Sequence, residues 1–210
     1  MHCLSLAATL TIMPSVCRSD ISVHWPDEPI VRQFPWTYEL DLDFNGSVDI
    51  IFESDLSSYR TQQPVDNSIL AIIAAPPNAN AFIIPLVYGD YIGPDLETPA
   101  EWHGSDGSAG FVSCMAVGPD EILCLGLWPP ESGTGYFGLR FYIDDNIHYG
   151  WVMMDFTEFG TAGGNIVGWG YETDPNIPIM AGVVPEPTTI VLVFTGVIGM
   201  LLSRAKKRFR

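Results

Sequence analysis

Apolar and polar residues alternate with a period of two through most of the chain, in short runs set off by Gly, Pro, Asn and Asp. No long stretch carries the 3.6-residue period of a helix, and the pattern predicts an all-β body. In YELDLDFNGSVDIIFES, Tyr38, Leu40, Leu42 and Phe44 alternate with Glu39, Asp41 and Asp43, and Val48, Ile50 and Phe52 resume the series. A two-residue Asn45-Gly46 turn would mix the two faces. A three-residue Asn45-Gly46-Ser47 loop sets Phe44 opposite Val48, Leu42 opposite Ile50 and Leu40 opposite Phe52, and is the expected hairpin. In YFGLRFYIDDNIHYGWVMMDF a loop at Asp144-Asp145-Asn146 sets Ile143 opposite Ile147, Phe141 opposite Tyr149, Leu139 opposite Trp151 and Phe137 opposite Met153. That register makes one apolar face, expected at the centre of the core, and leaves His148 opposite Tyr142 as a strand residue. A strand from Ile166 to Glu172, a turn at Asp174-Pro175-Asn176 and an edge segment broken by Pro178 follow.

Two apolar runs break the alternation, one near each end. Leu4 to Val16 suits the core of a signal peptide, with Ser15 and Cys17 as the small residues before a cleavage site. Neither Met1 nor His2 carries the positive charge usual ahead of such a run, which points to an upstream start. Thr188 to Ser203 holds no charged residue, and as a helix at about 1.5 Å per residue it spans roughly 24 Å. This predicts a short transmembrane helix over residues 188–203 that relies on snorkelling flanks or a thinned bilayer. The expected layout is a signal segment at 1–19, a single antiparallel β-sandwich of jelly-roll type at 20–183 and a targeting tail at 184–210.

Charge sharpens this layout. Five of the nine basic residues, Arg204, Lys206, Lys207, Arg208 and Arg210, lie in the last seven positions. Upstream, Arg18, Arg32, Arg60 and Arg140 face all 25 acidic residues, an excess of 21 negative charges. Such a body is repelled by phosphate backbones and by anionic headgroups, which excludes nucleic acid as a partner. A basic cluster after an apolar helix stays cytoplasmic, so the acidic body is expected outside the membrane. With 47% hydrophobic and 12% aromatic residues, that body should fold.

The tail carries a specific resemblance. Val184-Pro185-Glu186-Pro187, the apolar run and the basic cluster, in that order, resemble the PEP-CTERM sorting signal of Gram-negative bacteria. The resemblance covers about the last 27 residues. It implies an exosortase-type membrane protease or transpeptidase as partner, processing near Pro185-Glu186-Pro187, and a mature protein at the envelope or in the extracellular matrix. The physics agrees: Pro185 and Pro187 lack amide hydrogens and fix φ, so the segment neither extends the helix nor joins a sheet. The basic tail arrests translocation and holds the motif at one depth. The stretches FGLRFYIDDNIHYGWV and GWGYETDPNIPIMAG also look similar to the closing part of uncharacterised secreted bacterial proteins, which implies a β-sandwich and no activity.

Chemistry-bearing residues are few. The spacing Asp41-x-Asp43-x-Asn45-Gly46-x-x-Asp49 resembles the first part of a calcium loop, but position twelve is Phe52 and Glu53 comes one residue late. Calcium bound by Asp41, Asp43, Asn45 and Asp49 and a solvated acidic hairpin are the two readings of this stretch. Cys114 and Cys124 flank a Gly118-Pro119-Asp120 turn and are expected to face each other as a disulfide in an exported protein. Glu101, His103, Ser105 and Asp106 include types a hydrolase uses, but adjacency in sequence is not triad geometry. Exosortase systems accompany exopolysaccharide, so Trp102, Trp128 or Trp169 could stack sugars; otherwise these rings fill the core. The leading expectation is a non-enzymatic exported protein, and the alternative is a secreted carbohydrate-binding, calcium-dependent or carbohydrate-acting domain.

Overall fold

The computed structural model describes residues 20–30, 36–54, 58–64, 66–73, 81–97, 99–104, 108–118, 121–128, 133–156 and 164–185. The expected signal segment, the apolar run 188–203 and the basic tail lie outside these residues, as do Glu186 and Pro187. Among the described residues every regular element is a strand, and no helix is long and apolar enough to cross a membrane.

Twelve strands form one sheet. Its path runs β1 (Ile21–His24), β13 (Asn165–Glu172), β12 (Asn146–Asp155), β11 (Thr134–Ile143), β5 (Ser68–Ile73), β6 (Ala81–Ile83), β9 (Ser108–Gly118), β4 (Ser58–Gln62), β3 (Ile50–Ser54) and β2 (Trp36–Leu40). Two strands branch from it, β8 (Glu101–His103) on β5 and β10 (Glu121–Leu125) on β9. A separate ribbon joins β7 (Tyr91–Ile92) to β14 (Ile179–Met180). All pairs are antiparallel except β6 with β9, which corrects the purely antiparallel sheet expected above. The chain from 84 to 107 is long enough to return to the starting end of the sheet, the condition for a parallel neighbour.

The sheet curls until its far ends meet. Phe52 of β3 packs edge-on against Phe137 of β11 at 6.1 Å between ring centroids. The indole of Trp169 in β13 bonds the carbonyl of Leu42, just beyond β2. Between them lies the main core, with Ile50, Ile69, Ile83, Phe111, Leu139, Phe141, Val152 and Ile166 fully enclosed. A second core covers the outer face of the same central strands, where Leu70, Tyr149 and Trp151 pack under Leu86, Ile92, Ile179 and Ala181. Strands β11 and β12 are therefore sandwiched on both faces.

Burial on both faces explains the error in the expected register of the β11–β12 hairpin. The turn has two residues, Asp144 and Asp145, both with positive φ (48° and 63°), so Ile143 pairs with Asn146. This is the paired geometry that matches the strand twist of a tight hairpin. Phe141 then lies opposite His148 and Phe137 opposite Val152. A slip of one residue sends Ile147, Tyr149, Trp151 and Met153 to the second core rather than the first. His148 turns inward instead, buried, with Nδ1 2.8 Å from the carbonyl oxygen of Glu172.

The β2–β3 hairpin keeps its predicted face but not its loop. Leu40 pairs with Ile50 and Tyr38 with Phe52, two residues out of the expected register. Residues 41–49 leave the ladder as a nine-residue loop.

Candidate metal centre

The loop is held by its own carboxylates. Asp41 accepts the backbone N–H of Asn45 at 3.2 Å on Oδ1 and that of Gly46 at 2.7 Å on Oδ2. Asp43 accepts the Asn45 N–H at 3.1 Å and the Asn45 side-chain amide at 2.9 Å. Asn45 in turn accepts the Ser47 N–H at 2.7 Å. These local bonds offer the backbone an alternative to the strand ladder, and they account for a loop where alternation predicts strand. Gly46 supplies a φ of 90°, which a side chain would oppose. Phe44, also at positive φ, swings out of the apolar series and is largely exposed, its ring 5.0 Å from that of His24.

Asp49 closes the loop from the core side. Its backbone N–H donates to Leu40 at 2.9 Å, and its buried carboxylate accepts the Leu42 N–H at 2.8 Å and the Asn67 side-chain amide at 3.3 Å. The same Asn67 amide reaches the Asp49 carbonyl at 3.1 Å, while Asn67 Oδ1 accepts the N–H of Tyr142 in β11. Asn67 thus ties the loop to the central strands. Sequence reasoning missed it because it lies 18 positions from Asp49 with nothing local to mark it. Trp169 was expected as a sugar platform or a core ring, and its bond to Leu42 makes it a second brace.

One carboxylate oxygen each from Asp41, Asp43 and Asp49 can be chosen so that all three lie within 4.8 Å of one another. Oxygens arranged about a calcium ion at ~2.4 Å span this distance. The electrostatics are those of crowded anions. Burial pushes the Asp49 carboxyl up to about 6, with the charges of Asp43 and Asp41 adding to it against the lowering effect of the Leu42 N–H. Burial, followed by the neighbouring Asp41, also raises Asp43. The Asn45 side-chain oxygen accepts the Ser47 N–H, and its amide nitrogen is turned toward Asp43. Phe52 is enclosed in the core, and Glu53 is taken by Arg60 and Gln62, both at 3.0 Å, so neither completes the cluster.

The other sequence-level candidates are placed elsewhere. Trp128 is buried and donates to the Ile83 carbonyl at 3.0 Å, and Trp169 is buried as described. Trp102 in β8 packs on Tyr149, has the Arg140 guanidinium 5.5 Å from its ring centre and donates to Gly93. Trp128 and Trp169 therefore present no open face for a sugar, while Trp102 is half-buried. Glu101 and His103 pair with β5, while Ser105 and Asp106 lie outside the described residues. Cys114 and Cys124 are Cα partners in the β9–β10 pair. Pro185, the first proline of the Pro185-Glu186-Pro187 stretch, is exposed directly after Val184. No protein-family model matches the chain, and no curated protein or solved structure matches it.

Proposed function

We propose that this chain is an exported protein of a Gram-negative bacterium, delivered to the envelope or extracellular matrix by its C-terminal sorting signal and trimmed by an exosortase-type enzyme. The carrying observation is the order of the tail: Pro185-Glu186-Pro187, an uncharged stretch over 188–203, then five basic residues. The folded body supports it, since β14, the last strand among the described residues, ends at Met180, and Val184 and Pro185 that follow are exposed. A processing enzyme at the membrane face could grip such a segment without unfolding the domain. The cargo is a curled β-sandwich, a reading supported by the meeting of β3 with β11 across the main core, and its role is structural rather than catalytic. The test replaces Pro185-Glu186-Pro187 with alanines and follows the tail by fractionation in strains with and without exosortase. Processing should be lost in the variant and in the deletion strain; processing unchanged in both defeats the proposal.

A second reading concerns the body itself: the acidic loop takes up calcium and so stiffens the domain outside the cytoplasm. The three carboxylates within 4.8 Å favour it, because like charges so placed repel until a cation joins them. Terbium makes a direct probe, since Trp169 braces the loop and can sensitise its luminescence. Emission excited through tryptophan should appear on adding terbium, fall on adding calcium and disappear in Asp43→Ala. Emission unaffected by either change would show that terbium sits elsewhere.

A further inference from the structure

The ribbon of β7 and β14 carries an apolar surface that the domain does not use. Val87 is 68% exposed, Tyr88 69%, Tyr91 41%, Met180 50% and Val184 44%. They belong to one unit: Tyr91 is paired with Met180, Gly89 donates to Ala181, and Ala181 donates back to Asp90. The Tyr88 ring lies against Gly182, where an added Cβ would meet it at 2.9 Å. Exposed apolar residues gathered in this way mark a contact surface, whereas singly scattered ones need no explanation.

We infer that this ribbon is the face the domain turns to a phospholipid bilayer, with Tyr88, Tyr91, Val87 and Met180 entering the headgroup–acyl boundary. The inference rests on reading residues 188–203 as a membrane span. Three steps of chain separate Pro185 from Thr188, and at no more than ~3.6 Å each they reach about 11 Å. The interfacial layer on one side of a bilayer is itself roughly 5–8 Å deep. A tether so short keeps the point where the chain leaves the domain close to the interface, and the ribbon adjoins that point: Tyr88 lies against Gly182, and Val184 is itself exposed.

The chemistry suits the place. Tyrosine rings with an apolar body and a polar tip settle at the membrane–water boundary, and the aliphatic side chains add buried area. Asp90, the acidic residue within the ribbon, has its carboxylate tied to the Val87 N–H at 2.8 Å. The acidic loop lies at the other end of β11: Tyr136 sits by Gly182 and Tyr142 bonds Asn67, six residues or about 20 Å apart. The densest cluster of carboxylates is thus held away from the headgroups; Asp95 and Glu97, exposed just after β7, and Glu186 in the tether are the acidic groups that remain near the ribbon.

Photo-crosslinking in phosphatidylcholine nanodiscs tests this with the full chain. Tyr88→benzoylphenylalanine should give lipid adducts several-fold above those of Phe44→benzoylphenylalanine, which marks the acidic loop. Equal adducts from a chain that has entered the discs, or adducts from position 88 to a second copy of the chain in place of lipid, would overturn the inference and leave the membrane span standing. A chain that does not enter the discs would overturn both.

Discussion

The indole N–H of Trp169 donates to the backbone carbonyl of Leu42 at 3.1 Å, a bond between residues 127 apart in sequence. It joins β13, near one end of the sheet path, to the acidic loop beyond β2 at the other end. Trp169→Phe should therefore leave a buried carbonyl without its donor and a small gap beside it, at a combined cost of about 2 kcal/mol. Urea denaturation measures the loss, and amide exchange should show the loop 41–49 opening more than β12. A uniform rise in exchange across the sheet would show the ring to be core filling alone.

The crowding of Asp49 gives a pH dependence of definite sign. Its carboxyl titrates near 3.8 in an unfolded chain and at about 6 in the folded one. A raised value means that the folded state holds the proton more tightly. Its contribution to stability is full below pH 4 and lost as the pH climbs through 6, at most about 3 kcal/mol for a shift of this size. Without calcium, the unfolding midpoint should fall over this window more steeply for the native chain than for Asp49→Asn. Calcium competes with the proton for the same oxygens, so millimolar calcium should restore the midpoint above pH 6 and do little near pH 4. Equal slopes for the two proteins would remove Asp49 from the account.

How much of this was legible in the sequence differs between the two hairpins, for separate physical reasons. Around Asn45 the alternation named the right inward residues, Leu40, Ile50 and Phe52, because one face of that hairpin packs on the core. The loop was longer than alternation implies because Asp41 and Asp43 capture the N–H groups of Asn45 and Gly46. Around Asp144 the opposite happened. Apolar residues occupy both faces of β12, so a two-residue and a three-residue loop each gave a good-looking face, and hydrophobicity could not choose. The second core was invisible for another reason: it depends on Leu86, Ile92 and Ile179, brought onto the sheet from segments far apart in the chain. Asn67, a lone polar residue, carried no signal until folding set it beside Asp49.

The β11–β12 turn offers a gain in stability. Asp144 and Asp145 both sit in the left-handed region, where Asn and Gly are more at ease than Asp. The double change Asp144→Asn, Asp145→Gly should raise stability by about 1 kcal/mol with no change in fold. Thermal unfolding is sufficient to see it. A loss of stability would mean that the aspartate side chains do work in the turn that its backbone conformation does not reveal.

Cys114 and Cys124 stand directly opposite each other across β9 and β10. Opposed Cα atoms of an antiparallel pair are about 4.5–5.5 Å apart, within the roughly 4.4–6.8 Å that a disulfide spans. In an oxidising compartment the bond is expected to form, and with nine residues between the cysteines it closes a small loop. The stabilisation should be about 2–3 kcal/mol, because a short loop has little closure entropy to remove. Non-reducing peptide mapping of the protein folded under oxidising conditions should recover the two segments joined, and reductant should lower the unfolding midpoint. Cys114→Ser with Cys124→Ser should start at the reduced value and ignore reductant. Two free thiols titrating in the protein folded under oxidising conditions would dispose of the bond, while leaving the strand pairing intact.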